Sequence, residues 1–193
     1  MFYSRCIPVP EVLAKEELEA ALAALPQWRR RKALSYRFDA DRYCCAKAYL
    51  LLREMLEEHF GIAEAPVFAF ESGGKPLLEG HPEIHFNLSH CRKAVLCAVG
   101  DIPLGVDVEV IQYDEDVARS AFSPAELDEI RRSDKAELAF TQLWTKKESL
   151  AKLCGEGIGE GLETLLERRG GNVRFCTEVE PVAGVVATVA STL

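Results

Sequence analysis

The chain has 193 residues, of which 48% are hydrophobic and 28% charged, and its formal net charge is −8. These values are typical of a globular protein with one domain or two small halves, and a strongly acidic chain is a poor candidate for nonspecific nucleic-acid binding. The sequence has seven cysteines and no Cys-x-x-Cys spacing, which predicts reduced thiols and a cytoplasmic protein. It has no apolar run approaching about 18 residues, so we expect no membrane partner.

The first half of the chain is predicted to begin with helices. Residues 11–25 place Leu18, Leu22 and Leu25 on one helical face, and Pro26 ends that helix. A longer helix is expected from Asp39, as the residue that caps it, to about Phe60, closed by Gly61. The next segments alternate in hydrophobicity and are predicted to be strands: 67–71, 84–89 and 94–99.

The second half repeats this order of helices followed by strands. It opens with a predicted strand at Val106–Ile111, after which Ser123 and Glu126 form a capping box that starts a helix. Asp134 is expected to start the helix that carries Glu148, and the closing strands are predicted at 173–180 and 184–190. The sequence therefore predicts an α+β fold of two similar halves, 1–102 and 103–193.

Two carboxylates lie close together in the strand that opens the second half. Asp107 and Glu109 alternate with valines, so both are expected on one outward face of a half-buried strand. A divalent cation would relieve their mutual repulsion, and hard oxygen ligands favour Mg²⁺ or Mn²⁺. Acids on the outer face of a strand are also ordinary surface structure, and this interpretation stays open.

The predicted helix after residue 134 carries a second acidic signal. Glu148 and Lys152 are spaced i, i+4, which is the spacing of a common surface ion pair worth about 0.3–0.5 kcal/mol. Thr141 and Thr145 are predicted to share their side of the helix, opposite the apolar arc. Glu148 lies at the border of the two faces, where partial burial would raise the pKa of its carboxyl and make it a better base.

Two upstream segments offer groups that bind phosphates. Ser89 and His90 end a short predicted strand, where hydroxyl, imidazole and backbone N–H groups could meet a phosphate. Gly73-Gly74-Lys75-Pro76 is a turn that holds a lysine beside a rigid proline, although it is not a Walker loop. Donors for phosphates followed by acids for a metal suggest phosphoryl chemistry on a nucleotide-like ligand.

The chain resembles the Sfp-type 4'-phosphopantetheinyl transferase family over roughly residues 26 to 160. The motifs that match are Gly74-Lys75-Pro76, Phe86-Asn87-Leu88-Ser89-His90, Gly105-Val106-Asp107-Val108-Glu109, and Trp144-Thr145-Lys146-Lys147-Glu148 with Lys152, Gly155 and Gly157. The basic stretch from Arg29 to Arg42 also fits. Cys91, where the family usually has serine, and the short segment after Gly161 depart from the pattern.

This resemblance implies a fold of two related α+β halves with the active site at their interface. It implies that Asp107, Glu109 and Glu148 hold Mg²⁺, with Glu148 as the base and Lys152 beside the leaving phosphate. It also implies contacts with coenzyme A, the 3'-phosphate meeting His90. The other residues implied in coenzyme A binding are Ser89, Lys75, Pro76, Arg31, Arg37 and Arg42.

The reaction implied is transfer of the 4'-phosphopantetheine arm of coenzyme A to a serine of an apo acyl or peptidyl carrier protein, with release of 3',5'-ADP. The protein is expected to act as a monomer. Two alternatives stay open at this point. One is another metal-dependent phosphodiester-cleaving enzyme that uses the same acids without a carrier. The other is a noncatalytic module that binds coenzyme A or a carrier, in which Glu148 and Lys152 form only a helix ion pair.

Overall fold

A computed structural model of the protein describes residues 1–71, 73–155, 161–180 and 183–193. The first half of the chain forms these elements in order: β1 (Phe2–Pro8), α1 (Lys15–Ala23), α2 (Gln27–Leu34), α3 (Asp39–Phe60), β2 (Phe68–Phe70), β3 (Pro76–Leu78), β4 (His85–His90) and β5 (Ala94–Gly100). The second half forms β6 (Leu104–Val110), α4 (Glu115–Ala121), α5 (Pro124–Arg132), α6 (Ala136–Cys154), α7 (Leu165–Arg169), β7 (Val173–Glu180) and β8 (Val185–Thr192). The predicted α+β class is confirmed.

Two three-stranded antiparallel sheets have the same topology. The first has the order β1-β5-β4 and the second the order β6-β8-β7, and a separate two-stranded sheet pairs β2 with β3. In each large sheet an edge strand comes first, helices follow, and a hairpin then supplies the central strand last. The boundary between residues 102 and 103 is compatible with this repeat and stays a prediction.

The long helix α3 packs on the first sheet through one apolar stripe. Cys44, Ala48, Leu51 and Met55 are buried in one cluster with residues of β4 and β5. The helix ends at Gly61 in the left-handed region, with φ of 70°, which a residue without a Cβ adopts at little cost.

The two sheets meet where β4 passes β6. The Asn87 side-chain oxygen accepts a hydrogen bond from the Val106 backbone N–H at 3.0 Å. The Lys75 ammonium donates to the Leu104 carbonyl at 3.2 Å and to the Leu153 carbonyl at 2.9 Å. Apolar side chains of β5, β6 and β8 share one buried cluster beneath these bonds. Side chains from the first half thus satisfy backbone groups of the second.

A single glycine allows α6 to lie directly on β6. A Cβ at Gly105 would overlap the backbone of Ser149 and Leu153, which are fixed parts of α6 that cannot rotate away. The close approach brings the side chains of α6 onto the face of β6 that carries Asp107 and Glu109.

A fully buried lysine fixes the other side of α6. The Lys147 ammonium pairs with the Glu126 carboxylate at 2.9 Å and donates to the Leu162 carbonyl at 2.7 Å. The same Glu126 oxygen accepts the Ser123 N–H at 2.7 Å, which completes the predicted capping box. One buried charge therefore ties α6 to the start of α5 and to the chain before α7.

The structure differs from the sequence prediction at several elements. β1, α2, β3 and α4 were not predicted, α3 is preceded by Phe38 rather than capped by Asp39, and α6 begins at Ala136 rather than Asp134. Gly157, part of the family motif, lies outside the described residues. None of the helices within the described ranges is both long and apolar enough to cross a bilayer.

Gly105→Ala is expected to lower the free energy of unfolding by an amount near the upper end of about 1–3 kcal/mol, because α6 must move away from β6. Urea denaturation followed by circular dichroism measures this. Gly171→Ala is the matched control, since a Cβ there would meet no heavy atom within 4 Å. Equal stability of the two variants would show that α6 does not depend on this close approach.

Candidate active site

The three predicted carboxylates converge where α6 crosses β6. Asp107 and Glu109 lie on one face of β6, as the alternating pattern predicted, and Glu148 reaches them from α6. Only 2% of Asp107 and 5% of Glu148 is exposed. The prediction that the acids lie outward is therefore wrong for Asp107, because α6 and β4 cover the face that an isolated strand would show to water. An Asp107→Ala change would accordingly disturb the fold as well as the site.

Asp107 is held by a lysine and a serine from different halves of the chain. Its Oδ1 atom accepts a hydrogen bond from the Ser89 hydroxyl at 2.8 Å and lies 2.6 Å from the Lys152 ammonium. The ammonium also donates to the Ser89 oxygen at 3.0 Å. The three groups form a closed triangle in which one cation compensates a buried anion.

The i, i+4 ion pair between Glu148 and Lys152 is absent among the described residues. Lys152 instead pairs with Asp107 of β6, within the second half of the chain, so the surface-stabiliser interpretation is wrong. The polar side of α6 was also misplaced, since Thr141, Thr145 and Glu148 are buried against the second sheet. The Thr145 hydroxyl lies 2.8 Å from that of Thr188, whose Cα is the cross-strand partner of Asp107.

Two of the carboxyls are poised to exchange protons near neutral pH. Burial, reinforced by the Asp107 charge, raises the pKa of Glu148 to about 7, and Lys152 opposes part of that rise. The same two causes raise the pKa of Glu109 to about 7. At Glu148 the effect of burial therefore outweighs the opposing charge of Lys152.

The donor set fits a hard divalent cation. Within the described residues the second oxygen of Asp107, Oδ2, is buried and has no hydrogen-bond partner, and such an atom is suited to a metal ion. Carboxylate oxygens are the ligands of Mg²⁺. Among the described side chains, no three acidic, histidine or cysteine groups lie at mutual metal-binding positions, so these carboxylates would have to move to hold an ion. The cation in contact with Asp107 in this structure is the Lys152 ammonium.

Ser89 and His90 project from opposite faces of β4. Ser89, like Asn87, faces β6 and joins the Asp107 triangle. His90 faces the helical side, where its ring lies 6.4 Å from the Tyr36 ring at 75°. Burial lowers the pKa of His90, Asp41 opposes this, and the charges of Lys152 and Arg29 lower it further. The two residues that were predicted to bind phosphates together are thus separated by the strand.

Lys75 and Pro76 line a small cavity, which adjoins a larger one at Pro76. The Lys75 ammonium bonds to the Leu104 and Leu153 carbonyls, and burial lowers the pKa of this group. Pro76 lines both cavities. The smaller one, of about 210 Å³, is bordered by Gly73, Gly74, Lys75, Pro76, Asn87, Ala151, Lys152 and Gly155.

The larger cavity, of about 660 Å³, lies between α2, β2 and β4. It combines aromatic and apolar walls with two cations: Trp28, Arg29, Lys32, Val67, Phe68, Phe70, Pro76 and Leu88. Arg29, which was not predicted as a site residue, lies 5.7 Å from the Tyr49 ring centre and 5.9 Å from that of Phe68. Its Nε is buried and has no hydrogen-bond partner among the described residues.

The three arginines predicted to contact coenzyme A lie outside both cavity linings. The Arg42 guanidinium donates to the Tyr36 carbonyl at 3.0 Å and pairs with Asp39 at 2.7 Å. Arg37 lies over the Phe38 ring, and Arg31 is exposed on α2. Their contacts with coenzyme A stay predictions, whereas Arg29 and Lys32 line the larger cavity.

The raised pKa of Glu148 predicts a pH-dependent stability when divalent ions are chelated. Between about pH 4.5 and 7 the folded protein retains a proton that the unfolded chain releases, so its stability falls as the pH rises. Glu148→Gln removes this loss. The variant should gain about 1–3 kcal/mol relative to the wild type between pH 4.5 and 7.5, as measured by urea denaturation in EDTA.

The exposed Glu167 on α7 supplies the control, since Glu167→Gln should keep a constant difference from the wild type across the same pH range. If the Glu148→Gln difference is also constant, then Glu148 carries no proton at neutral pH in the folded protein.

Comparison with known proteins identifies a family whose profile matches the region that contains the three carboxylates. The 4'-phosphopantetheinyl transferase superfamily profile matches residues 103–183. The 4'-phosphopantetheinyl transferase psf-1 of Bacillus pumilus is 32% identical over 165 residues, which are 83% of this chain and 71% of that protein. The Sfp enzyme of Bacillus subtilis (strain 168) is 28% identical, covering 81% and 71% of the two chains. HetI of Nostoc is 28% identical, covering 79% and 68%. The chain therefore belongs to the 4'-phosphopantetheinyl transferase superfamily.

Proposed function

We propose that this protein transfers the 4'-phosphopantetheine arm of coenzyme A to a serine of an apo acyl or peptidyl carrier protein, with Mg²⁺, and releases 3',5'-ADP. The observation that carries the proposal is the buried triangle of Asp107, Ser89 and Lys152, with two proton-exchanging carboxyls beside it. The names of the relatives support the reaction, since each is a phosphopantetheinyl transferase.

Coenzyme A fits the pair of cavities that meet at Pro76. The larger one offers the rings of Trp28 and Phe68 to an adenine base, and Arg29 and Lys32 to its phosphate. The smaller one leads to Lys152, which would place the pyrophosphate beside the carboxylates. We thus assign the phosphate contacts mainly to residues 1–102 and the catalytic carboxylates to 103–193.

Asp107, Glu109 and Glu148 would hold the divalent ion. When bound, Mg²⁺ supplies positive charge that offsets the charge of the pyrophosphate and the charge that develops during transfer. Ser89 orients Asp107 by donating to Oδ1, which leaves the unpartnered Oδ2 of the same carboxylate for the ion.

Side chains of the protein assist the transfer of the proton and the departure of the leaving group. The carrier serine oxygen forms a bond to the β-phosphorus of coenzyme A, and the bond from that phosphorus to the oxygen of the departing 3',5'-ADP breaks. Glu148 takes the serine proton as the general base of the reaction. Lys152 stabilises the leaving phosphate from the wall of the smaller cavity.

The structure does not favour the noncatalytic alternative, because Glu148 is buried and its predicted partner Lys152 pairs elsewhere. A thiol nucleophile is also disfavoured, since burial raises the pKa of Cys91. We place the reaction in the cytoplasm, because all seven cysteines, which lie within the described residues, are thiols rather than disulfides. The monomeric state stays a prediction.

Glu148→Gln is expected to lower single-turnover transfer by a factor on the order of 10² or more, because the side chain keeps its size but loses the base. The measurement is intact-mass analysis of an apo carrier protein incubated with coenzyme A and Mg²⁺. Glu167→Gln, a matched change on the exposed side of α7, should transfer at the wild-type rate.

Transfer by Glu148→Gln at close to the wild-type rate would remove Glu148 from the mechanism. A wild-type protein that consumes coenzyme A without any carrier, and leaves the carrier unmodified, would instead favour phosphodiester hydrolysis. The same mass spectra and a coenzyme A assay distinguish these results.

His90→Ala and Arg29→Met are each expected to weaken coenzyme A binding by about tenfold and to change dephospho-coenzyme A binding much less. Arg29 lines the larger cavity, and its charge is close enough to His90 to lower the pKa of that ring, so a 3'-phosphate bound beside Arg29 would also be near His90. Isothermal calorimetry with the two ligands measures the difference.

Arg131→Met serves as the control for loss of one positive charge. Arg131 lies on α5, where it pairs with Asp128. Equal losses for both ligands would mean that neither His90 nor Arg29 contacts the 3'-phosphate.

A further inference from the structure

We propose that Lys152 and the divalent cation compete for Asp107, so that arrival of the metal ion releases the Lys152 ammonium toward the substrate phosphates. This inference rests on the proposed function and assigns Lys152 a role before the chemical step. In this view Lys152 compensates the charge of Asp107 until a metal ion takes its place.

Lys152 is bound to the same carboxylate that would bind the metal ion. Its ammonium lies 2.6 Å from Oδ1, and it is also held by the Ser89 hydroxyl at 3.0 Å. Ser89 in turn donates to the same Oδ1 at 2.8 Å. A cation that binds this carboxylate must share it with an ammonium that already occupies one of its oxygens.

Repulsion between the two cations makes the sharing unfavourable. The Lys152 ammonium lies 2.6 Å from Oδ1 of Asp107, so an ion on the unpartnered Oδ2 of the same carboxylate would lie close to it. A second cation packed against the first would repel it, and the low exposure of the site leaves little water to screen the two charges.

Lys152 has a second position available. Its side chain is 28% exposed, whereas that of Asp107 is 3% exposed, so the lysine has more room to move than the carboxylate. The residue also lines the smaller cavity, beside Gly73, Gly74 and Gly155. A lysine released from Asp107 would therefore meet a phosphate bound in that cavity, which predicts that metal binding favours coenzyme A binding.

Lys152→Met is expected to tighten Mg²⁺ or Mn²⁺ binding by about tenfold or more, since the competing charge is lost. Isothermal calorimetry with the metal salt alone, without coenzyme A or carrier, measures the affinity. Lys146→Met, the same substitution on the same helix, is the control. Lys146 is not among the charges that shift the pKa of Glu148, so its loss should change the affinity by less than about twofold.

A second measurement uses the wild-type protein and does not depend on how the variant folds. Reductive methylation of lysines, read by peptide mass spectrometry, reports whether the Lys152 ammonium is held. Saturating Mg²⁺ is expected to raise the labelling rate of Lys152 severalfold, because the amine leaves Asp107. The labelling rate of Lys146 should stay constant.

Metal binding that is unchanged or weaker in Lys152→Met, or Lys152 labelling that Mg²⁺ does not raise, would overturn the competition and leave the proposed transfer reaction intact. Failure of the wild type and of Lys152→Met to bind any divalent ion, with carrier modification persisting in EDTA, would instead overturn the proposed metal role and this inference together.

Discussion

The negative charge of Asp107 lies at a point that water barely reaches, and much of the surrounding structure serves to keep it there. A buried carboxylate is tolerated only with a cation and hydrogen-bond donors around it. Here the cation comes from α6 and the donor from β4. Those elements belong to different halves of the chain, so the electrostatic requirement of one side chain is also a reason for the halves to remain together.

This charge also separates the roles of the three acids. Asp107 has Lys152 and Ser89 as partners, whereas Glu109 and Glu148 feel its repulsion and hold protons up to about pH 7. Environments that push neighbouring titratable groups apart are a general way to assign acid and base roles. Asp107 is the fixed anion of the group, and in the proposed reaction Glu148 is the carboxyl that takes the proton of the carrier hydroxyl.

The sequence predicted which residues share a face better than what covers that face. The period of two in β6 correctly put Asp107 with Glu109, but periodicity contains no information about the close approach that Gly105 allows. The same gap turned the buried Thr141 and Thr145 of α6 into a supposed outer side. Arg29 was missed because α2 is dominated by basic residues and has little apolar periodicity, so no pattern distinguished the one arginine that packs on Tyr49 and Phe68 from its exposed neighbours.

The pairing of β6 with β8 has a consequence for how the protein acquires its activity. β6 carries Asp107 and Glu109, yet its partner in the sheet is the strand at Val185–Thr192, which follows all the helices of the second half. Contacts between segments so distant in sequence form late, and during synthesis the earlier segment leaves the ribosome first. The first sheet can close without β8, but β6 has no sheet partner until β8 arrives. A nascent chain could therefore complete its first sheet for some time before Asp107 and Glu109 are fixed in the second.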